Sequence, residues 1–278
     1  MAQLNWRLKS AAFKAVDLVG PAPLYWAQKH LTGRARRPFR EMHPAWRFHR
    51  DHLQFAGAKR VLEFGAGKDL SQNLYLRGVL DIEQVLVDLN PMLDFGLINR
   101  GIDSLAAFGI PTQGHVGSLE ALRETYGITY AAPVDMRATG FEAGSFDACI
   151  SNSTLEHIPT DVLPAIWSEI IRVLKPGGLV SARIDYSDHY AHTDRSISRL
   201  NFLRFSEQEW RRHNHGKHYQ NRLRHKHHLD LMTASGLIIE SERCASPADP
   251  TGLSLHPDNL TGDQSDYCTE GYIYAVSR

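Results

Sequence analysis

The chain has 278 residues, of which 42% are hydrophobic, and its 31 Lys plus Arg balance 31 Asp plus Glu. That length and apolar content suit one α/β core with additions rather than two equal domains. The zero formal net charge gives no overall pull toward nucleic acid.

Arg34, Arg36, Arg37, Arg40, Arg47 and Arg50 make the segment before Arg60 basic, whereas Val61 to Leu163 is rich in acids. Cys149, Cys244 and Cys268 are scattered, without short pairing or metal-type spacing, which predicts a reducing, cytoplasmic setting and no disulfide. The N-terminal residues gather no uninterrupted apolar run, so neither a secretory signal nor a membrane span is expected. Trp6, Trp26 and Trp46 read as packing residues, which argues against a disposable transit peptide.

Trp6, Leu8, Ala11, Ala12, Ala15 and Val16 recur at roughly helical spacing and predict an amphipathic helix over Trp6 to Leu18. Pro21-Ala22-Pro23 ends it; a second helix is expected from Leu24 to Leu31, a basic connection from Gly33 to Pro38, and a third helix sending Trp46, Phe48 and Leu53 to the core. Residues 1–59 thus form a helical extension, and 60–278 the main domain. From Arg60 onward, short apolar runs alternate with helical periods, the pattern of a parallel sheet covered by helices. Strands are expected at Arg60–Phe64, Gln84–Asp88, Ile128–Val134, Phe146–Ser151, Gly178–Asp185, Leu237–Glu242 and Tyr272–Ser277. Pro91 to Gly127 is longer than one helix requires and predicts a local excursion. Residues 185–228, between the fifth and sixth strands, read as a substrate-facing insertion.

Glu63-Phe64-Gly65-Ala66-Gly67 closes the first strand with an acid and turns through two glycines, which lets backbone approach a ligand closely. Asp88 ends the next strand, where a carboxylate can accept ribose hydroxyls. A dinucleotide site would usually carry a third glycine in the following helix, but here Lys68-Asp69-Leu70 follows. Together with Val134-Asp135-Met136, Phe146 to Asn152, Leu155-Glu156-His157-Ile158 and Arg172 to Gly178, these motifs resemble, in order, those of class I S-adenosylmethionine-dependent methyltransferases over roughly Arg60 to Ile184.

The resemblance implies a Rossmann-like, seven-stranded, mostly parallel α/β sheet with helices on both faces and its last strand antiparallel, and S-adenosyl-L-methionine as cofactor. It places Glu63, Gly65, Ala66 and Gly67 at the methionine end, Asp88 on the ribose, and Leu89 against the adenine. Asp135 is expected at the exocyclic amine, the Met136 backbone at the ring, and the Asn152 backbone near the methionine portion. Asp135 also reads as a cap on the structure after Met136, and Pro176-Gly177-Gly178 as a tight turn.

Ligands of such sheets sit beyond the strands' carboxyl ends. His157, His189 and Asp185 are therefore the candidates for handling the acceptor's proton. Asp185, Asp188, His189 and His192 offer metal-binding chemistry, but their spacing is not diagnostic, so a solvated loop is preferred and no metal is expected. Arg195, Arg199, Arg204, Arg211, Arg212, Arg222 and Arg224 lie among His213, His215, His218, His225, His227 and His228, with Phe202, Phe205, Trp210 and Tyr219. This composition suits an anionic acceptor, a sugar phosphate or glycan, or equally the basic outer faces of amphipathic helices. The leading expectation is O-methylation of a polar, anionic small molecule or glycan. The alternatives are a quinone or lipid acceptor reached by peripheral membrane contact and a non-catalytic cofactor-binding module. No nucleic-acid partner is expected, and oligomeric state is not legible.

Overall fold

The structure is a computed structural model that describes residues 5–19, 39, 41–214 and 216–278. The helix expected at Leu24–Leu31 and the basic connection after it lie outside the described residues.

The strands β1 (Arg60–Phe64), β2 (Glu83–Val87), β3 (Ile128–Ala131), β4 (Phe146–Asn152), β5 (Leu174–Asp185), β6 (Ile238–Pro247) and β7 (Cys268–Val276) form a 7-stranded sheet. Its order is β3-β2-β1-β4-β5-β7-β6, parallel except for β7, which runs antiparallel to both β5 and β6. The order reverses direction between β1 and β4, so the carboxyl ends of these two strands flank the crevice where such sheets bind ligands.

Period-two alternation divides the strand residues between two cores. Leu62, Phe64, Cys149, Val180 and Ala182 pack on one face with Trp167 and Ile170 of α6 (Leu163–Val173). Val61, Leu86, Ala148 and Ile150 pack on the other with Trp46 and Leu53 of α2 (Pro44–Phe55), Leu74 of α3 (Ser71–Val79), and Ile98 and Ile102 of α4 (Phe95–Ala107). The excursion before β3 is α4 followed by α5 (Leu119–Tyr126). Asp94 and Ser118 cap the two helix starts by accepting from Leu97 N–H and Ala121 N–H. β3 stops at Ala131, short of the predicted Val134, because Pro133 has no N–H to continue a ladder. The chain then returns, Val134 N–H donating to Asp88 O at 2.9 Å.

Two sequence expectations need correction. Cys244 and Cys268 form a disulfide, with Cα atoms 5.7 Å apart. They sit on the adjacent strands β6 and β7, a pairing that a sequence separation of 24 conceals. The first helix, α1 (Trp6–Val19), does form, but on a rotated face: Trp6 and Ser10 are buried while Leu8 is 64% exposed. Its partners decide this. Trp6 packs on Tyr190, Phe205 and His213, and Phe13 stacks on His218 at 4.5 Å, all within the segment after β5. Trp6, Tyr190, Leu200, Phe202, Leu203, Trp210 and Tyr267 make a third core of their own, so α1 and the insertion cover the carboxyl end of β5 together.

Candidate active site

The turn after β1 has Gly65 at φ +74° and Gly67 at φ +77°, a region that non-glycine residues rarely adopt. No atom lies within 4 Å of where a Gly67 Cβ would stand, which leaves the turn open to a ligand. The Asp88 carboxylate faces the same turn. It accepts from the Gly67 N–H and from Tyr130 Oη at 2.9 Å, and burial pushes its pKa up to about 6. A carboxylate offers about four lone-pair sites, so capacity remains for two ribose hydroxyls. Leu89 is 67% exposed beside it, free to receive a flat ring. Open glycine turn, carboxylate and exposed apolar side chain therefore fit the nucleoside and amino-acid portions of S-adenosylmethionine.

Other members of the expected set stand differently. Glu63 is buried under the turn, where its oxygens accept from Gln72 Nε2 at 3.0 Å and Asn73 Nδ2 at 2.5 Å. Burial raises its pKa to about 7 despite these bonds. It braces the start of α3 beneath Gly65–Gly67. Asp135 is partly exposed and pairs with Arg137 at 2.6 Å, while also accepting from Arg137 N–H, the local capping alternative to an adenine contact. Met136 is buried in the core below it.

The end of β4 joins this half of the site to the acceptor half. Asn152 Nδ2 donates to Gln72 Oε1 at 2.8 Å, and Thr154 Oγ1 donates to Gly65 O at 3.3 Å. Ser153, at φ +56°, accepts from the Arg183 guanidinium, whose other arm bonds Glu270 at 2.8 Å. A short 3-10 turn, Leu155–His157, follows directly.

Beyond β5, Asp185 Oδ1 is fixed by Ser187 N–H at 2.9 Å and Ser187 Oγ at 2.6 Å. Its Oδ2 lies 3.7 Å from both His189 Nε2 and His192 Nε2. Burial alone would raise the Asp185 carboxyl, but His189, Ser187 and Arg183 together hold it well below the usual carboxylate range. His157 comes to the same place from β4: its ring is 5.0 Å from that of His189, and its Nδ1 bonds Tyr219 O at 2.8 Å. Burial lowers the His157 pKa, and that of His192 falls to about 4 for the same leading reason. Glu156 was not anticipated as a site residue. It is 2% exposed, and burial with the nearby Asp185 charge pushes its pKa up to about 8. The only sequence signal for it was adjacency to His157; the 3-10 turn directs Glu156 inward and leaves His157 exposed. Asp188, grouped with these residues on sequence, instead points into the interior and accepts from Asn201 Nδ2 at 3.0 Å.

Part of the basic, aromatic segment is turned to packing, while Arg195, Arg199, Arg204, Arg211 and Arg212 are exposed. Arg222 donates to the carbonyls of Phe202 and Phe205 and pairs with Glu207 at 2.8 Å. Arg224 is fully buried against the Tyr186 and Cys268 carbonyls. His225 bridges Glu242 and Tyr186, and His228 is buried with its pKa lowered to about 3 by desolvation. Phe202 and Trp210 are core side chains. These residues hold the insertion onto the sheet, so neither a sugar-stacking surface nor an Arg-lined phosphate pocket can be built from them.

Strand order, reversal point and glycine turn define an α/β fold of the kind whose ligands sit at the carboxyl ends of the parallel strands. Residues 117–182 match the family described as "Methyltransferase domain". A stretch of 41 residues is 51% identical to chondramide synthase from Chondromyces crocatus; it makes up 14% of this chain and 1% of that protein. Among solved structures, the putative methyltransferase in complex with the Haloferax volcanii activator Trm112 is similar at 14% identity, over 84% of this chain and 90% of that one, with TM-score 0.49. A putative sarcosine dimethylglycine methyltransferase from Galdieria sulphuraria gives 14% identity, 83% and 84% coverage, and TM-score 0.49. A phosphoethanolamine N-methyltransferase 2 from Haemonchus contortus, in complex with S-adenosyl-L-methionine, gives 17%, 79% and 48%, and 0.45. The matched segment, with the chain's own strand order, is similar to that of methyltransferase domains, and the ordered motifs around it resemble those of class I S-adenosylmethionine-dependent methyltransferases. Among the described residues no helix is long and apolar enough to cross a membrane.

Proposed function

We propose that the chain methylates an oxygen of a small, polar acceptor bound between the carboxyl ends of β4 and β5, under the cover of α1 and residues 185–228. The observation that carries this reading is the Asp185–His189 pair, set at the end of β5 next to the segment Asn152–His157 that also touches the glycine turn. S-adenosylmethionine supplies an electrophilic methyl on a sulfonium, so the protein must align the nucleophile and manage its proton. Asp88 and the Gly65–Gly67 turn hold the cofactor; His189 takes the acceptor's proton; Asp185, locked by Ser187, steadies the charge that then forms on the imidazole. His157, with its ring 5.0 Å from that of His189, borders the acceptor.

Phe202 and Trp210, the aromatics that suggested sugar stacking, are core side chains and lend no support to a glycan acceptor, and Arg222 and Arg224 are held on backbone carbonyls. What remains is a hydroxyl acceptor small enough to reach a cluster of imidazoles and carboxylates. The test is calorimetric titration with S-adenosylhomocysteine, NAD serving as control, followed by a screen of hydroxyl compounds for S-adenosylhomocysteine release. His189→Ala is expected to bind S-adenosylhomocysteine as the native chain does while turnover falls about 10²–10⁴-fold. Unchanged turnover in that variant removes His189 as the base; preference for NAD overturns the methyl-transfer reading itself.

A further inference from the structure

We propose that Glu156, His157 and His189 form a site for one divalent first-row transition-metal ion, with Asp185 beside it and one coordination position open. One ligand atom from each of Glu156, His157 and His189 lies within 4.8 Å of the others, and His189 is shared with a second such triad, Asp185–His189–His192. The arrangement does not satisfy itself. Glu156 Oε2 and His189 Nε2 are both buried without a hydrogen-bond partner, and Glu156 is 98% withdrawn from solvent. Buried polar atoms are ordinarily paired, and two unpartnered polar atoms in one cluster point to a ligand that both can reach.

The geometry around them is that of metal ligands. His157 turns Nδ1 to the Tyr219 carbonyl at 2.8 Å, the outer hydrogen bond that fixes the tautomer of a ligating imidazole and leaves Nε2 with its lone pair. Asp185 has one oxygen tied to Ser187, and the other stands 3.7 Å from His189 Nε2. Ligand bonds of about 2.0–2.1 Å in a tetrahedron place donor atoms roughly 3.3 Å apart, so the three donor atoms, which lie within 4.8 Å of one another, must draw together by up to about 1.5 Å when the ion binds. Two imidazoles with carboxylate oxygens suit zinc, iron or manganese better than magnesium or calcium, which prefer all-oxygen shells. Of the run that raised the metal question on sequence, only His189 belongs to this triad, and Asp188 instead bonds Asn201, which is why linear spacing gave no recognisable pattern.

This inference deepens the acceptor reading above and rests on it for its chemical meaning. An ion at this point would bind the acceptor's hydroxyl directly and lower its pKa, in place of a free imidazole base. Metal binding itself is measurable without acceptor or cofactor. Protein stripped with EDTA and dialysed against chelator-free buffer is titrated with Zn²⁺ by calorimetry, and with Co²⁺ while the visible d–d absorption is recorded. One ion per chain is expected, with a Co²⁺ spectrum of four- or five-coordinate N/O ligation. Affinity should drop at least about 100-fold in Glu156→Gln and in His189→Ala, each checked for retained S-adenosylhomocysteine binding as evidence of folding. His192→Ala, outside the proposed ligand set, is expected to keep one ion. Absence of stoichiometric binding, or equal affinity in the native chain and both ligand variants, overturns the proposal as adventitious binding to other histidines. Loss of the metal site with S-adenosylhomocysteine binding and chelator-insensitive turnover intact would leave His189 acting as base and the proposed function standing.

Discussion

Gly65→Ala tests whether the glycine turn is shaped from across the sheet as well as by its own backbone. An alanine there would have to hold φ near +74°, a cost of roughly 1–2 kcal/mol for an L residue. Its Cβ would also run into Oγ1 and Cγ2 of Thr154 and come within 2.9 Å of Thr154 Cβ. Overpacking of this kind adds about 1–3 kcal/mol, for a combined loss of about 2–5 kcal/mol. The two terms separate in a double-mutant cycle with Thr154→Gly, which deletes every atom of the clash but leaves the dihedral cost. Urea unfolding at 25 °C should show Gly65→Ala costing about 1–3 kcal/mol less in the Thr154→Gly background than alone. Additive losses, within about 0.5 kcal/mol, would mean that Thr154 does not press on the turn and that β4 does not fix the cofactor loop as argued.

Asp88→Ala should weaken S-adenosylhomocysteine binding about 10²-fold or more, because hydrogen bonds to a charged acceptor contribute about 1.5–3 kcal/mol each; calorimetry that finds native affinity would remove Asp88 from the site. With the Asp88 pKa raised to about 6, the carboxylate form is lost as pH falls through that value. Cofactor affinity in the native chain should therefore decline between pH 7 and 5, and the decline attributable to Asp88 should be missing in Asp88→Asn. Glu169 lies at the opposite end of the scale, held at about 2 by the Arg172 guanidinium and by the Thr139 hydroxyl and N–H. A depressed carboxyl pKa stabilises the fold above the ordinary value of 4.5 and stops doing so as pH falls from there toward 2. Glu169→Gln should cost about 1–3 kcal/mol at pH 7, with the gap to native narrowing through that acid window in urea titrations; a gap independent of pH would contradict the assignment.

The cofactor half of the site is legible in sequence because its information is local. A strand that ends in an acid, a turn that needs two positive φ angles and a second acid at the next strand end occupy short windows, and all lie at the carboxyl ends of parallel strands. The structure keeps Gly65, Gly67, Asp88 and Leu89 facing one opening. It sets Asp135 against Arg137 and puts Glu63 beneath the turn, distinctions that depend on Gln72, Asn73 and the return of the chain at Val134. Tyr130 on Asp88 was likewise invisible, since it follows from β3 lying next to β2.

The acceptor half fails to show in sequence for a related reason. Residues 185–228 contain little regular structure, so no period marks which Arg, His or aromatic side chain faces inward, and composition alone suggested a charged wall. Packing decided otherwise for part of it. Arg222 and Arg224 satisfy backbone carbonyls that an irregular, buried segment cannot satisfy by its own ladder, a demand that scales with how much loop is buried. The side chains left at the site are those whose backbones are fixed by strand ends: Glu156 and His157 after β4, Asp185 at the end of β5, and His189 one short turn further on. The same logic explains why Asp188 departed from the run. Asp185 is anchored by the sheet and the His189 backbone by Gln220 Oε1 and Lys9 Nζ, whereas Asp188 ties the insertion to Asn201 and the Tyr190 N–H, so that the loop supporting the site and the loop residues composing it are different residues of one short stretch.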